Sequence, residues 1–303
     1  MAIDTAFHNS YQNQFEVKFQ QQGSRLRPYI TERPQNVERA MYDRIGTVNV
    51  SARTIRHGPT VLTDADHTRI ACLTTDYRPD ALAFDSEDQL RMNLADPRNG
   101  YAETQAFALG RQLDSVIIAA ATGTTYTGKN GTTAETYSST TYGIAVDAVA
   151  PGQTPANSNL TIEKLIQAKA KFGIQESVMD GEPLVFVWSQ SQMNSLLRTT
   201  EVTNADYNTV KALVNGMVDT FMGFKFVRTE LLTTTGSGST LGTRTCLAFP
   251  KSAIIVGMAD AKRTRMDERA DLNYTWQVWC QGTFGATRTW REKVVSVACD
   301  ENA

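Results

Sequence analysis

Tyr101 to Ala121 reads YAETQAFALGRQLDSVIIAAA. Ala102, Ala106, Leu109, Leu113, Val116 or Ile117, and Ala120 recur at intervals of three and four, which sets them on one face of a helix about 30 Å long. Arg111 and Asp114 stand three apart and are expected to pair on the solvent side, and Gly123 ends the pattern. Just upstream, Asp85-Ser86-Glu87-Asp88 is an acidic lead-in. Either Asp85 or Ser86 caps a helical turn there, or the acids receive basic groups from elsewhere.

Further toward the N-terminus, residues 1 to 75 hold little that closes a core of their own. Phe7, Tyr11, Phe15 and Phe19 recur every fourth position, forming an aromatic stripe for either the chain's own body or a second copy. Gly23 and Ser24 stop it. In Arg25-Leu26-Arg27-Pro28-Tyr29-Ile30, Pro28 holds Arg27 extended, and Pro34 does the same for Arg33, so this part reads as a strap. Val48, Val50 and Ala52 then alternate with polar residues up to Arg56, and Thr68 to Thr75 returns around Ile70 and Cys72. The pattern predicts a long hairpin ribbon with polar faces, marginal unless it lies on a neighbour. Its Arg53, Arg56 and Arg69 are expected to meet acidic surface, with Asp85, Glu87 and Asp88 as counterpart. Ordering backbone costs about 1–2 kcal/mol per residue, so these first seventy-odd residues are expected to take shape only against another copy.

Downstream of the helix, residues 123 to 158 turn rich in Thr, Gly, Ser and Asn. Gly128-Lys129-Asn130-Gly131 is a turn between strand-prone threonines, which suggests an inserted surface hairpin or loop. Leu160 to Phe172 is an amphipathic helix starting at Asn159 or Thr161; Pro183 to Trp188 is a buried strand; a helix follows around Met193 to Arg198, then a looped or loosely helical segment at Val214 to Phe221 and a strand at Phe224 to Arg228. Thr245 to Phe249, Ala253 to Val256, Tyr274 to Trp279 and Lys293 to Ala298 are strand patterns. With helices gathered before these strands, the fold class is α+β.

Composition excludes more than it specifies. The chain has 303 residues, 30 basic against 32 acidic, so it is no strong nucleic-acid binder by charge. Cys72, Cys246, Cys280 and Cys299 form no metal-ligand spacing and are read as reduced, mostly buried thiols in a protein made in the cytoplasm. The longest apolar run, near Ala253 to Ala259, is far short of a membrane span, so no membrane partner is expected.

Few groups are spaced to carry chemistry. Asp64, Asp66 and His67 are the one cluster resembling a metal site, more simply read as solvated. Gly236 to Gly242 misses the dinucleotide fingerprint and leads into a strand, so it is read as a hairpin turn. No catalytic residue, metal or cofactor is expected. The basic run of Lys262, Arg263 and Arg265, extended by Arg269, reads as a solvated loop. It is otherwise a candidate contact with a subunit or with packaged DNA.

Several stretches in order resemble one family: Gln20 to Leu26, Tyr42 to Gly46, Arg56-His57-Gly58, His67-Thr68-Arg69, Leu90-Arg91-Met92, Ala108 to Gly123, and Ala286 to Asp300. Their sequence of arm, ribbon, acidic lead-in, long helix, mixed lobe and returning strands resembles the major capsid proteins of tailed bacteriophages, with the Hong Kong 97-type fold. The resemblance implies an N-terminal arm (1–40), an extended loop (41–76), a peripheral domain around a spine helix (77–122 with 256–303), an inserted loop (123–158) and an axial domain (159–255). It implies hexamers and pentamers of the chain itself, and a shell around double-stranded DNA in the virion. Portal, cement and separate scaffolding proteins are further partners it suggests, scaffolding because no such extension precedes the arm. Residues 41 to 76 contain no lysine, so the isopeptide crosslink of some members is not expected. An encapsulin-like compartment shell is the alternative with the same fold. A soluble metal-dependent enzyme using Asp64, Asp66 and His67 is the alternative from another class.

Overall fold

The computed structural model describes residues 20–48, 50, 52, 56, 62, 64–84, 98–178, 181–198, 220–235, 242–259 and 263–302. The anticipated long helix, α1, runs from Arg98 to Thr122, 25 residues. It lies on a 14-residue strand spanning Thr275–Arg288. Leu113, Ile117, Ile118 and Ala121 are buried, whereas Ala106 is exposed and Ala120 only half-buried. The buried face is therefore rotated from the expected one, because polar Gln105 also points inward. Its amide donates to the carbonyls of Val278 at 2.9 Å and Asp80 at 3.1 Å, stitching helix to sheet. At the other end the buried Arg288 guanidinium donates to the Ala121 and Gly123 carbonyls at 2.7 and 3.1 Å, satisfying groups a helix C-terminus leaves open.

In chain order the strands are β1 (Thr31–Pro34), β2 (Arg39–Ile45), β3 (His67–Leu73), β4 (Thr75–Tyr77), β5 (Leu82–Phe84), β6 (Thr125–Thr127), β7 (Thr133–Glu135), β8 (Leu184–Trp188), β9 (Thr220–Phe221), β10 (Phe224–Arg228), β11 (Thr243–Pro250), β12 (Ile254–Met258), β13 (Arg263–Arg269), β14 (Thr275–Arg288) and β15 (Val295–Asp300). Strand β14 organises the sheet under α1. On one side it pairs β12 and then β13, and on the other β4 and β5, with β1 added in parallel to β12. Two sequence expectations are corrected here. Tyr274 to Trp279 and the segment after it form one unbroken strand through Gly282 and Gly285. The basic run is not a loop, since Arg263–Arg269 is a regular strand in register with Thr275 to Gln281.

The second sheet, in the order β15-β11-β8-β10-β9, is the expected mixed lobe, with β8 and β10 parallel. Helix α2 (Ser139–Tyr142) is a single turn. Helix α3 (Ile162–Ile174), capped by Thr161, buries Leu165, Ala168 and Phe172, and α4 (Gln190–Arg198) buries Met193 and Leu196. Trp188 stacks on Phe226 with ring centroids 4.3 Å apart. One connected core runs from Leu26 and Ile30, under α1, into this sheet. The four cysteines are buried and free.

The third sheet is β2-β3-β6-β7, wholly antiparallel. Gly128 and Gly131 turn the β6–β7 hairpin at positive φ, as its sequence anticipates. The hairpin is no mere surface decoration, because Thr127 and Tyr126 pair with Ile70 and Ala71 of β3. The ribbon's root is therefore not polar-faced: Ile70, Ala71 and Cys72 are buried within the chain itself.

Candidate assembly interface

The strap at residues 20 to 26 is seated on α1 by one carboxylate. Asp114 is buried and accepts from the backbone N–H groups of Arg25 at 2.9 Å and Leu26 at 3.2 Å, from the Gln21 amide at 2.5 Å, and from the Ser24 hydroxyl. A carboxylate is acceptor-only with room for about four donors, so this set fills it. The expected Arg111–Asp114 surface pair is thus overturned: Arg111 instead donates to the Gln20 side-chain oxygen at 2.7 Å. Leu26 is fully buried, and β1 continues the strap as a sheet strand. Residues 20 to 45 accordingly take their shape against their own chain, contrary to the expectation for the whole N-terminal quarter. The reason is that this carboxylate and a slot for Leu26 and Ile30 supply the missing partners.

Arg44 clamps the ribbon's root. Its guanidinium donates to the Thr68 hydroxyl at 2.7 Å, the Thr289 carbonyl at 2.7 Å and Glu135 at 2.5 Å, and stacks 4.4 Å over the Trp290 ring. Glu135 also pairs with Arg291 at 3.1 Å. The side chains of Arg44 and Glu135 are only 11% and 14% exposed, so this is a largely desolvated junction between ribbon, hairpin and β14. Across the strands Arg69 pairs with Asp43 at 2.6 Å, an exposed contact worth at most about 1 kcal/mol.

Beyond the root the apolar side chains lose cover. The ribbon continues past Ile45 with the Gly46 N–H bonded to the Asp66 carbonyl at 2.8 Å. Val48 is 63%, Val50 98% and Leu62 92% exposed. Between this segment and the end of α3 lies a groove of about 1190 Å³ whose walls include Ile45, Phe172, Leu184, Trp290 and Lys293. An anchored root carrying uncovered aliphatic groups is the arrangement of a segment that meets another molecule.

Of the residues singled out in the sequence, Phe7, Tyr11, Phe15, Phe19, Arg53, Asp85, Glu87, Asp88 and Lys262 lie outside the described residues. Arg56 is exposed, Arg69 holds Asp43, Arg263 opens β13 in its backbone, and Arg265 is exposed on β13. Asp64, Asp66 and His67 are exposed near the start of β3. Among the described residues no group of three or more His, Cys, Asp or Glu could hold a metal ion, and no helix is long and apolar enough to cross a membrane. Arg44, Glu135 and Trp290 went unrecognised and Asp114 was given the wrong partner, since nothing local marks partners so far apart in the chain.

Comparison with solved structures gives the same fold over nearly the whole chain. A cyanophage Pam1 capsid asymmetric unit aligns with a TM-score of 0.73 at 13% identity, covering 99% of this chain and 98% of that one. A chain of Mycobacterium phage Che8 aligns at 0.68 and 13% identity, covering 98% of each. The capsid of Helicobacter pylori bacteriophage KHP30 aligns at 0.69 and 9% identity, covering 99% and 97%. No curated protein sequence matches. The family described as phage capsid protein matches residues 3–301. With a strapped spine helix, a clamped ribbon and that match, the chain belongs to the phage capsid protein family and is a structural protein of the phage head shell.

Proposed function

We propose that copies of this chain close into an icosahedral shell of hexamers and pentamers around double-stranded DNA, assembled in the host cytoplasm. In this reading residues 41–76 are the extended loop that reaches over a neighbour. Residues 77–122 with 256–303 form the peripheral domain, save that β15 returns into the sheet of the axial domain (159–255); 123–158 are an insertion and 1–40 the arm. The observation that carries it is the ribbon: a root fixed by Arg44, Glu135 and Trp290, followed by Val48, Val50 and Leu62 in open solvent. A lone soluble chain gains nothing from those exposed groups, whereas a lattice covers them in every copy and multiplies weak contacts by symmetry. Scaffolding, portal and cement proteins are separate partners in this scheme. Arg53, Arg56 and Arg69 of the ribbon, the acids Asp85, Glu87 and Asp88, and the arm's Phe7, Tyr11, Phe15 and Phe19 are the proposed contacts.

The test is expression of the chain, alone and with the neighbouring genes of its phage, followed by sedimentation and negative-stain microscopy. Expression is expected to give megadalton closed particles, and particles isolated from virions to contain genome-length, nuclease-protected DNA. A small discrete oligomer under every condition, or particles filled with a protein cargo, overturns the reading. Deleting residues 1–19 is the suitable truncation, because Leu26, Ile30 and β1 belong to the body's own core and sheet.

A further inference from the structure

Strand β13 is a sheet edge: among the described residues it pairs with β14 on one side and with no strand on the other. Thr264 through Glu268 are exposed, so over these five residues the strand's outer edge lies open among the described residues. Such an edge invites a further strand. Charge alone often serves to block that, but the order of charges here has a different consequence.

The strand reads Arg263-Thr264-Arg265-Met266-Asp267-Glu268-Arg269, basic before the central methionine and acidic after it. Turn a second copy antiparallel about Met266 and the positions pair by symmetry. Arg265 faces the partner's Asp267, Asp267 faces the partner's Arg265, Thr264 faces the partner's Glu268, and the two methionines meet at the centre. Opposite charges directly across an antiparallel pair stabilise it, and like charges oppose it. The like-charged match, position 263 with the partner's Arg269, occurs once at each end of the pair and is relieved because Arg269 is already engaged by Asp271 and bonds Gln277 at 3.2 Å. A one-residue shift would turn the partner's faces over, and a two-residue shift would set Arg265 against the partner's Arg265 or Arg269, so this register alone keeps both the faces and the charges matched.

We propose that β13 pairs with β13 of a second copy about a two-fold axis, joining two edge strands into one continuous sheet across a subunit boundary. The inference rests on the shell reading, because a closed icosahedral lattice contains the two-fold relations an isologous contact needs. It assigns the basic run to a subunit contact rather than to DNA.

The test is M266C in assembled shells under mild oxidation. Opposite Cβ atoms across such a pair lie about 4.5–5.5 Å apart, near disulfide reach, and the native thiols are buried. Covalent dimers on a non-reducing gel are expected, with T264C and D267C giving at least fivefold less. R265E and D267R should each lower shell yield at least tenfold while leaving soluble, folded subunits by circular dichroism, and R265E/D267R should restore it. Intact M266C shells without dimers, a double variant no better than the singles, or R265E losing packaged DNA while M266C/R265E still crosslinks would overturn the pairing. If the unaltered chain builds no shells, it is the shell reading that fails, and the pairing with it.

Discussion

Gly110 of the spine helix lies directly beneath Gly23 of the strap: a Cβ added at Gly110 would stand 2.6 Å from the Gly23 carbonyl carbon and Cα and 2.9 Å from the Ser24 nitrogen. The obstacle is backbone, which cannot swing aside as a side-chain tip does. An alanine inside a helix ordinarily gains up to about 1 kcal/mol over glycine. Here G110A is expected to destabilise by about 1–3 kcal/mol, as overpacking does, by lifting the strap off the helix. Chemical denaturation of the unassembled subunit measures it, and a stabilised G110A would show that the strap does not cross at this point.

Four positions along, the same helix supplies the carboxylate that holds the strap. D114A leaves the Arg25 and Leu26 N–H groups without their acceptor, each at a cost of about 1–3 kcal/mol. D114N keeps one carbonyl oxygen and is expected to lose roughly half as much. Hydrogen exchange at Arg25 and Leu26 should rise in step with the loss of stability. Equal effects from both variants would mean that volume, not hydrogen bonding, governs the site.

These two positions show where sequence reading stops. The periodicity from Tyr101 to Ala121 predicts the spine helix nearly to its ends, and glycine-flanked threonines predict the β6–β7 hairpin, because both signals are local. Asp114 looked like a solvent partner of Arg111, since the same spacing suits a surface pair and a carboxylate reserved for a segment 89 residues earlier. The strand at Arg263–Arg269 was hidden because exposed edge strands carry charges that resemble a loop. The strand pattern read at Tyr274 to Trp279 stops short, whereas β14 runs on through Gly285 to Arg288. The glycine is there because the Leu73 carbonyl lies 1.8 Å from where its Cβ would be, a long-range crossing no window of sequence contains.

The ribbon clamp gives a prediction of a different kind. E135Q removes the charge shared by Arg44 and Arg291 and leaves the largely buried Arg44 and the more exposed Arg291 facing a neutral amide. Breaking one member of such a junction costs about 3–5 kcal/mol when fully buried, and about 2–3 kcal/mol is expected at this exposure. Because β2 and β3 would still pair, the loss should appear as faster hydrogen exchange at Arg44 and Thr68 before the body of the protein unfolds. Shells from E135Q should form with lowered yield. Unchanged exchange at the root would show that Trp290 and the strand pairing suffice to hold it.

Lys164 offers a test through pH. Its ammonium is buried in α3 and donates to the carbonyls of Val146 at 2.8 Å, Ser158 at 2.7 Å and Ala298 at 2.9 Å, tying the 123–158 segment to β15. Burial pushes its pKa below the usual lysine range. Between that lowered value and the ordinary one the unfolded chain binds more protons than the folded one, so this group's contribution to stability rises with pH through the interval and is flat below it. Other groups run the opposite way: burial pushes Tyr137 up, so its contribution falls as pH rises through its own range. The quantity to measure is therefore the difference between the unaltered chain and K164M at each pH. At neutral pH K164M should be less stable by about 2–3 kcal/mol, because three carbonyls are left unpaired and this outweighs the desolvation recovered. That deficit should widen toward alkaline pH, where the unaltered chain regains what burying its ammonium cost. A gap that narrows as pH rises would mean the three carbonyls hold the ammonium more tightly than burial opposes it.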